Sequence, residues 1–308
     1  MSQIVMQISF TRPRPWIISW TKAICLLALS GLLTTLSASA DERHDASDAL
    51  FKSVMARVEL AANLEIIAQI DHSRLAAGAG EEIPPSRVLI FSDKRLEAEF
   101  MKIDPRIGID LPMRLLAFET KPGGASKVIY NSVAYLQSRY GVTLPPDLVD
   151  RYTGAMTLAL EDIEPKDIAR FESDKMASDG LVTLESPHGF DETLRRLRAA
   201  IDAQGDTVWF GEVDFDGRAS EAGVTIDPAH LLLFGGPGPG GRAMSAAPSL
   251  GLDAFCQKLL VLQDPAGSVR VMFNDLMVLA ERHGVKRNLA LRVINWRLAK
   301  TFRNALEP

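Results

Sequence analysis

Asn131-Ser-Val-Ala-Tyr-Leu-Gln-Ser-Arg-Tyr-Gly141 and Asn274-Asp-Leu-Met-Val-Leu-Ala-Glu-Arg-His-Gly284 are two versions of one segment, at residue numbers that differ by 143. Leu136 answers Leu279, Arg139 answers Arg282, and both segments end on glycine. The same spacing runs backwards with no gap through Asp110/Asp253, Gly108/Gly251, Pro105/Pro248, Met101/Met244, Phe91/Phe234, Pro85/Pro228, Gly80/Gly223 and Asp71/Asp214. It also pairs Leu116 with Leu259 and Met113 with Cys256. A unit this long is a duplicated domain, because solenoid repeats run only ~20–50 residues.

The second copy is the easier one to read. Leu181–Glu185 is a short β-branched strand, and Ser186–Gly189 turns into a helix from Asp191, with Phe190, Leu194, Leu197 and Ile201 three or four apart. Thr207–Phe215 alternates as a half-buried strand, and His230–Phe234 is a buried one. Gly235–Gly241 reads as a loop. Leu259–Gln263 and Ser268–Asn274 flank the turn Asp264–Gly267, and helices at Leu276–His283 and Lys286–Leu306 close the unit. The expected class is α+β: two tandem homologous domains, each a mainly antiparallel sheet with helices packed on one face.

The first copy follows this plan except at its start, where the counterpart of Val182 is Ser39. It therefore lacks an opening strand or fills that place otherwise, and the sheet edge so exposed is expected to be covered by the linker or by the second copy. A helix at Asp147–Leu160 closes the first copy. The expected division is residues 1–40 as a signal peptide, 41–161 as the first domain, 162–179 as linker and 180–308 as the second domain.

The signal reading rests on Arg12, Arg14 and Lys22 ahead of the apolar run Ala23–Leu36, followed by Ala38-Ser-Ala40. The run is shorter than the ~20 residues a spanning helix needs, so cleavage after Ala40 and a periplasmic or secreted protein are expected, with no stable membrane span after cleavage. An uncleaved anchor is the alternative. Removing those three basic residues from 34 leaves 31 against 39 Asp+Glu, a net charge of −8. That balance argues against a nucleic-acid partner. Cys256 then has no partner for an internal disulfide.

The second copy also resembles a family, the bacterial domain of unknown function 302. The resemblance lies in Phe190-Asp-Glu-Thr193, Phe234-Gly-Gly-Pro-Gly-Pro-Gly240, Met244, Pro248, Phe273-Asn-Asp275 and Leu279–Gly284. It covers nearly all of Leu181–Val285 and, more weakly, Ala46–Val142. It implies a small α+β domain that commonly self-associates, with no established activity. Gly236 and Gly241 stand where the family has Asn and Thr. Ala254-Phe255 replaces the family's Leu-Pro, kept in the first copy as Leu111-Pro112, while the first copy replaces the glycine loop with Phe91-Ser-Asp-Lys-Arg-Leu-Glu97.

The candidate ligand-binding residues are Asp71, Asp214, Asn131 and Asn274, which recur in both copies, and Gly235, Gly238 and Gly240, whose backbone amides could meet an anion. The plainer reading makes the Asp and Asn residues turn and cap groups and the glycines a connection. Met101/Met244 and Cys256 read as core residues. His44, His72, His188, His230 and His283 neither recur at the repeat spacing nor take metal-ligand spacing, so no metal, cofactor or catalytic residue is assigned. The last helix sets basic residues against a stripe of Leu291, Ile294, Leu298 and Phe302, expected to pack on its own domain. Three readings follow: a non-catalytic protein binding a small molecule or protein partner in the cleft between copies, an oligomeric interaction protein, and an enzyme using the repeated Asp and Asn positions.

Overall fold

The structure, a computed structural model, describes residues 44–176, 178–285 and 288–308, so the expected signal peptide lies outside the described residues. The first copy runs α1 (Asp45–Leu60), β1 (Glu65–Asp71), α2 (His72–Gly78), β2 (Ser86–Ser92), α3 (Lys94–Ile103), a 3-10 turn at Pro105–Ile109, β3 (Met113–Glu119), β4 (Ser126–Tyr130), α4 (Val133–Tyr140) and α5 (Pro146–Ala159). The second runs β5 (Leu181–Ser186), α6 (Phe190–Asp202), β6 (Val208–Asp214), α7 (Phe215–Glu221), β7 (Ala229–Gly235), α8 (Pro237–Met244), a 3-10 turn at Pro248–Gly251, β8 (Gln257–Gln263), β9 (Val269–Asn274), α9 (Leu276–Arg282) and α10 (Leu289–Ala305). The sheets are antiparallel, ordered β1-β2-β3-β4 and β5-β9-β8-β7-β6.

Strand alternation sorts the apolar residues onto two faces. In the second sheet Leu232, Phe234, Leu259, Val261, Val271 and Phe273 share a core with Leu194, Leu197 and Ile201 of α6 and Leu291, Leu298 and Phe302 of α10. Phe302 meets Phe234 and Phe273 edge-on, at centroid distances of 5.9 and 5.7 Å. The opposite face, with Val213, Leu231, Leu233, Leu260, Leu262 and Met272, belongs to a core shared with the first copy. Residues 44–308 thus form one unit, in which each sheet turns one face to the other copy and carries helices on the outside. An approximate two-fold relates the halves: α2 packs on α8 as α3 packs on α7, and each 3-10 turn lies against the other copy's third ladder strand, β8 or β3.

Two expectations need correction. The strand expected at Thr207–Phe215 runs over Val208–Asp214 and gives way to a helix at Phe215, because Asp214 ends it and caps α7; Asp71 does the same for α2. Gly235–Gly241 is not a loop: Gly235 closes β7, Pro237 starts α8, and the glycines are taken into that helix. A Cβ on Gly241 would stand 2.8 Å from the Cβ of Ala76, so the missing side chain lets α8 approach the first copy.

The repeat also hides a slip. Leu89 lies opposite Leu115 in the first sheet, whereas Leu232 lies opposite Leu259 in the second, so β3 and β8 correspond at a difference of 144. Leu115 faces Tyr130 and Leu259 faces Phe273, which restores 143 at β9. One residue has entered ahead of β8, and the β8–β9 hairpin is one residue shorter than the β3–β4 hairpin. The two changes cancel in the gap-free alignment. Phe255-Cys256, not Ala254-Phe255, therefore takes the place of Leu111-Pro112, and both peptide bonds are cis. Arg114 consequently pairs with Lys258 as its counterpart.

The described first-copy sheet has four strands, and its β4 edge stands where β9 carries β5. The linker meets that edge. Ile168 bridges Val128 in parallel, Ala169 N donates to Val128 O at 2.8 Å, and Lys127 Nζ donates to Lys166 O at 2.6 Å. A short covered edge is a poor template for another chain.

Candidate functional site

Two buried polar groups meet where the copies face each other, each centred on a carboxylate at the end of a 3-10 turn. Arg139, near the end of α4, donates from Nη1 to Asp110 Oδ2 at 2.8 Å, and Arg282, at the end of α9, from Nη1 to Asp253 Oδ2 at 2.7 Å. Both helices stop at a glycine in the left-handed region, Gly141 at φ +66° and Gly284 at φ +74°, so the arginines fall in the same place. Each arginine then crosses to the other copy. Arg139 Nη2 donates to Asn274 Oδ1 at 2.6 Å, and Arg282 Nη1 donates to Asn131 Oδ1 at 2.8 Å. The repeated Asp, Asn and Arg thus form a reciprocal clamp.

The two ends of the clamp differ in their finish. Tyr140 O–H donates to Asp110 Oδ2 at 2.8 Å, whereas its counterpart His283 pairs Nε2 with Asp253 Oδ1 at 2.7 Å and Nδ1 with Ser249 Oγ at 2.9 Å. The Arg282 guanidinium lies between the rings of Tyr135 and Phe171, 3.7 and 3.4 Å from their centroids. Burial alone would raise both carboxyls. The charge and hydrogen bond of His283 with the charge of Arg282 hold Asp253 well below the usual carboxylate range, and Arg139, Lys258 and Arg114 lower Asp110.

Arg114 and Lys258 lie on the inner faces of β3 and β8, 5% and 3% exposed. Each sits opposite an aliphatic residue, Ile90 or Leu233. Arg114 Nη2 donates to Ile109 O at 2.9 Å, and its Nε has no partner; Lys258 Nζ has none at all. Burial first, and then Arg114, lower Lys258 to about 7. Burial raises the Cys256 thiol, so it is a poor nucleophile.

A groove of about 380 Å³ opens elsewhere along the junction. Met101, Lys102 and Pro105 of the first copy face Asp227, Asp264 and Arg270 of the second across it. Arg270 Nε is buried without a partner.

Of the residues singled out from the sequence, Asn131 and Asn274 come together in the clamp. Asp71 and Asp214 do not join them: Asp71 accepts from Arg74 N at 2.8 Å and Asp214 from Gly217 N at 3.0 Å, each as a helix cap. Gly235 closes β7, and Gly238 and Gly240 lie in the first half of α8, with Gly238 beside Ala79 and Gly240 beside Phe255. Arg139 and Arg282 were visible as a repeated pair but carried no sign of crossing. Arg114 and Lys258 correspond only once strand register is known. No cluster of three or more His, Cys, Asp or Glu able to hold a metal occurs among the described residues.

The sequence model of the family described as "Domain of unknown function DUF302" matches residues 44–161 and again 182–305. The chain belongs to the DUF302 family, in two tandem copies. A solved DUF302 structure, an uncharacterized conserved protein from Bacillus stearothermophilus, is 20% identical, covers 41% of this chain and 95% of its own, and gives a TM-score of 0.34. Among curated proteins, "Fluoride-specific ion channel FluC 1" of Brucella suis biovar 1 is 36% identical over 117 residues, 37% of this chain and 45% of that protein. The same-named protein of Brucella abortus biovar 1 and "FluC 2" of Brucella melitensis biotype 1 match at the same identity over 43% of their lengths. The chain thus spans under half the length of these relatives. No described helix is long and apolar enough to cross a membrane.

Proposed function

We propose that this DUF302 protein is exported and binds a small molecule in the groove between its copies without catalysing a reaction on it. The observation that carries the reading is the origin of the groove walls. Neither copy supplies the pocket alone, its volume falls in the range of small-ligand sites, and its polar rim offers Lys102 and Arg270 beside Asp227 and Asp264. A ligand bearing both a negative and a positive or hydrogen-bond-donating group suits such a rim. The export part rests on the N-terminal sequence alone.

Native mass spectrometry of the full chain, expressed with its own N-terminus and purified from the periplasm, tests both parts. The reading predicts a mature chain starting at Asp41 that carries a stoichiometric extra mass, lost in Arg270→Ala. An apo mass and an intact N-terminus would contradict it. The partial likeness to Brucella proteins named as fluoride channels makes fluoride one ion to include in ligand screens.

A second reading, an interaction protein, is favoured by Leu289, Val293 and Trp296. They form a stripe on α10 and are 76%, 53% and 62% exposed. Sedimentation of the mature chain and of Trp296→Lys distinguishes it: association lost in the variant supports this reading, and a monomer throughout removes it.

A further inference from the structure

The charges between the sheets do not balance. Arg139 and Arg282 are matched by Asp110 and Asp253, but Arg114 and Lys258 add two cationic side chains that make no ion pair with a carboxylate. The unused hydrogen-bonding atoms are mostly donors: Arg114 Nε, Lys258 Nζ, and Nε and Nη2 of Arg282, against one acceptor, Asp110 Oδ1. All are shut away from solvent, where a donor without a partner and a cation without a counter-charge are both costly. Register makes the arrangement systematic, since Arg114 and Lys258 are counterparts in the duplication and sit at equivalent positions on facing sheets.

We infer that the seam binds one small inorganic anion of halide size, held between Arg114 and Lys258. Packing sets the size. The cations sit among Ile90, Leu116, Leu233 and Leu260, which belong to one continuous core, and close-packed interiors keep few voids larger than a water molecule, which favours a halide over a phosphate. The inference is independent of the groove and of any molecule bound there.

The charged and titratable groups that act on Lys258 are Arg114, Asp110, Asp253 and Cys256. With Lys258 at about 7 in the free protein, an anion beside Nζ favours the ammonium form, so binding takes up a proton near neutrality. Affinity is therefore greatest below pH 7 and falls about tenfold between pH 6 and pH 8.

The test is calorimetric titration and thermal unfolding of the full mature protein with sodium fluoride and sodium chloride, against sodium gluconate at matched ionic strength. The expected result is a saturable rise in Tm with a halide and none with gluconate. A titration heat that changes with buffer ionisation enthalpy and a tenfold weaker Kd at pH 8 are also expected. Lys258→Met should stay folded and lose the halide response. Equal Tm values in halide and gluconate, a Kd independent of pH, or a retained response in Lys258→Met would overturn the inference. Should Lys258→Met fail to fold, the melts of the unmodified protein decide: a saturable halide response absent in gluconate supports the inference, and equal Tm values overturn it.

Discussion

Arg139 belongs to the first copy by sequence, yet its guanidinium donates to the side chain of Asn274 in the second at 2.6 Å, while Arg282 makes the reverse contact to Asn131. Here the fusion allowed the halves to diverge, so that Tyr140 closes one end of the clamp and His283 the other.

Removing Arg139 leaves Asp110 buried without its ion-pair partner. Arg139→Met is expected to destabilise the protein by about 3–5 kcal/mol, and Arg139→Met with Asp110→Leu by much less, because the orphaned charge goes too. Urea unfolding of the two variants checks the order.

Glycines at helical positions should split by environment. Gly241→Ala places a methyl against Ala76 and is expected to cost about 1–3 kcal/mol. Gly154→Ala, inside α5 with open space around it, is expected to stabilise by about 0.5–1 kcal/mol. Paired thermal melts give both signs.

Glu97 supplies a pH signature. Burial pushes its carboxyl up to about 8, partly offset by the 2.7 Å hydrogen bond from Ser92 Oγ. The folded state therefore holds a proton that the unfolded chain releases near its ordinary value of 4.5. This contribution is complete below pH 4.5, declines by at most about 1.4 kcal/mol per pH unit, and is gone once pH has passed 8. Glu97→Gln should flatten the stability profile between pH 5 and 8; a profile unchanged by the substitution would contradict this.

The covered edge predicts a change of state. Ala169→Pro removes the N–H that bonds Val128 O, so the β4 edge should open and the chain associate at concentrations where the parent does not. Light scattering over a concentration series measures it.

The duplication and the α+β class were legible because apolar period and repeat spacing are local properties of the sequence. The short helices α2 and α7 were not, since their seven residues follow directly on strands whose alternation runs into them. The slip at β8 was invisible because an added residue before the strand and a missing one in the hairpin cancel. The clamp escaped for a different reason. Asn131, Asn274, Arg139 and Arg282 all stood out as repeated, but which copy an arginine serves is decided by packing between sheets more than 130 residues apart in sequence.

The most direct test of the reciprocal clamp is a double-mutant cycle on Arg139→Met and Asn274→Ala, read by equilibrium unfolding of the full mature chain. The structure predicts one cooperative transition and a coupling energy of about 1–3 kcal/mol between the two sites. Additive effects, or separate transitions for the two copies, would contradict it.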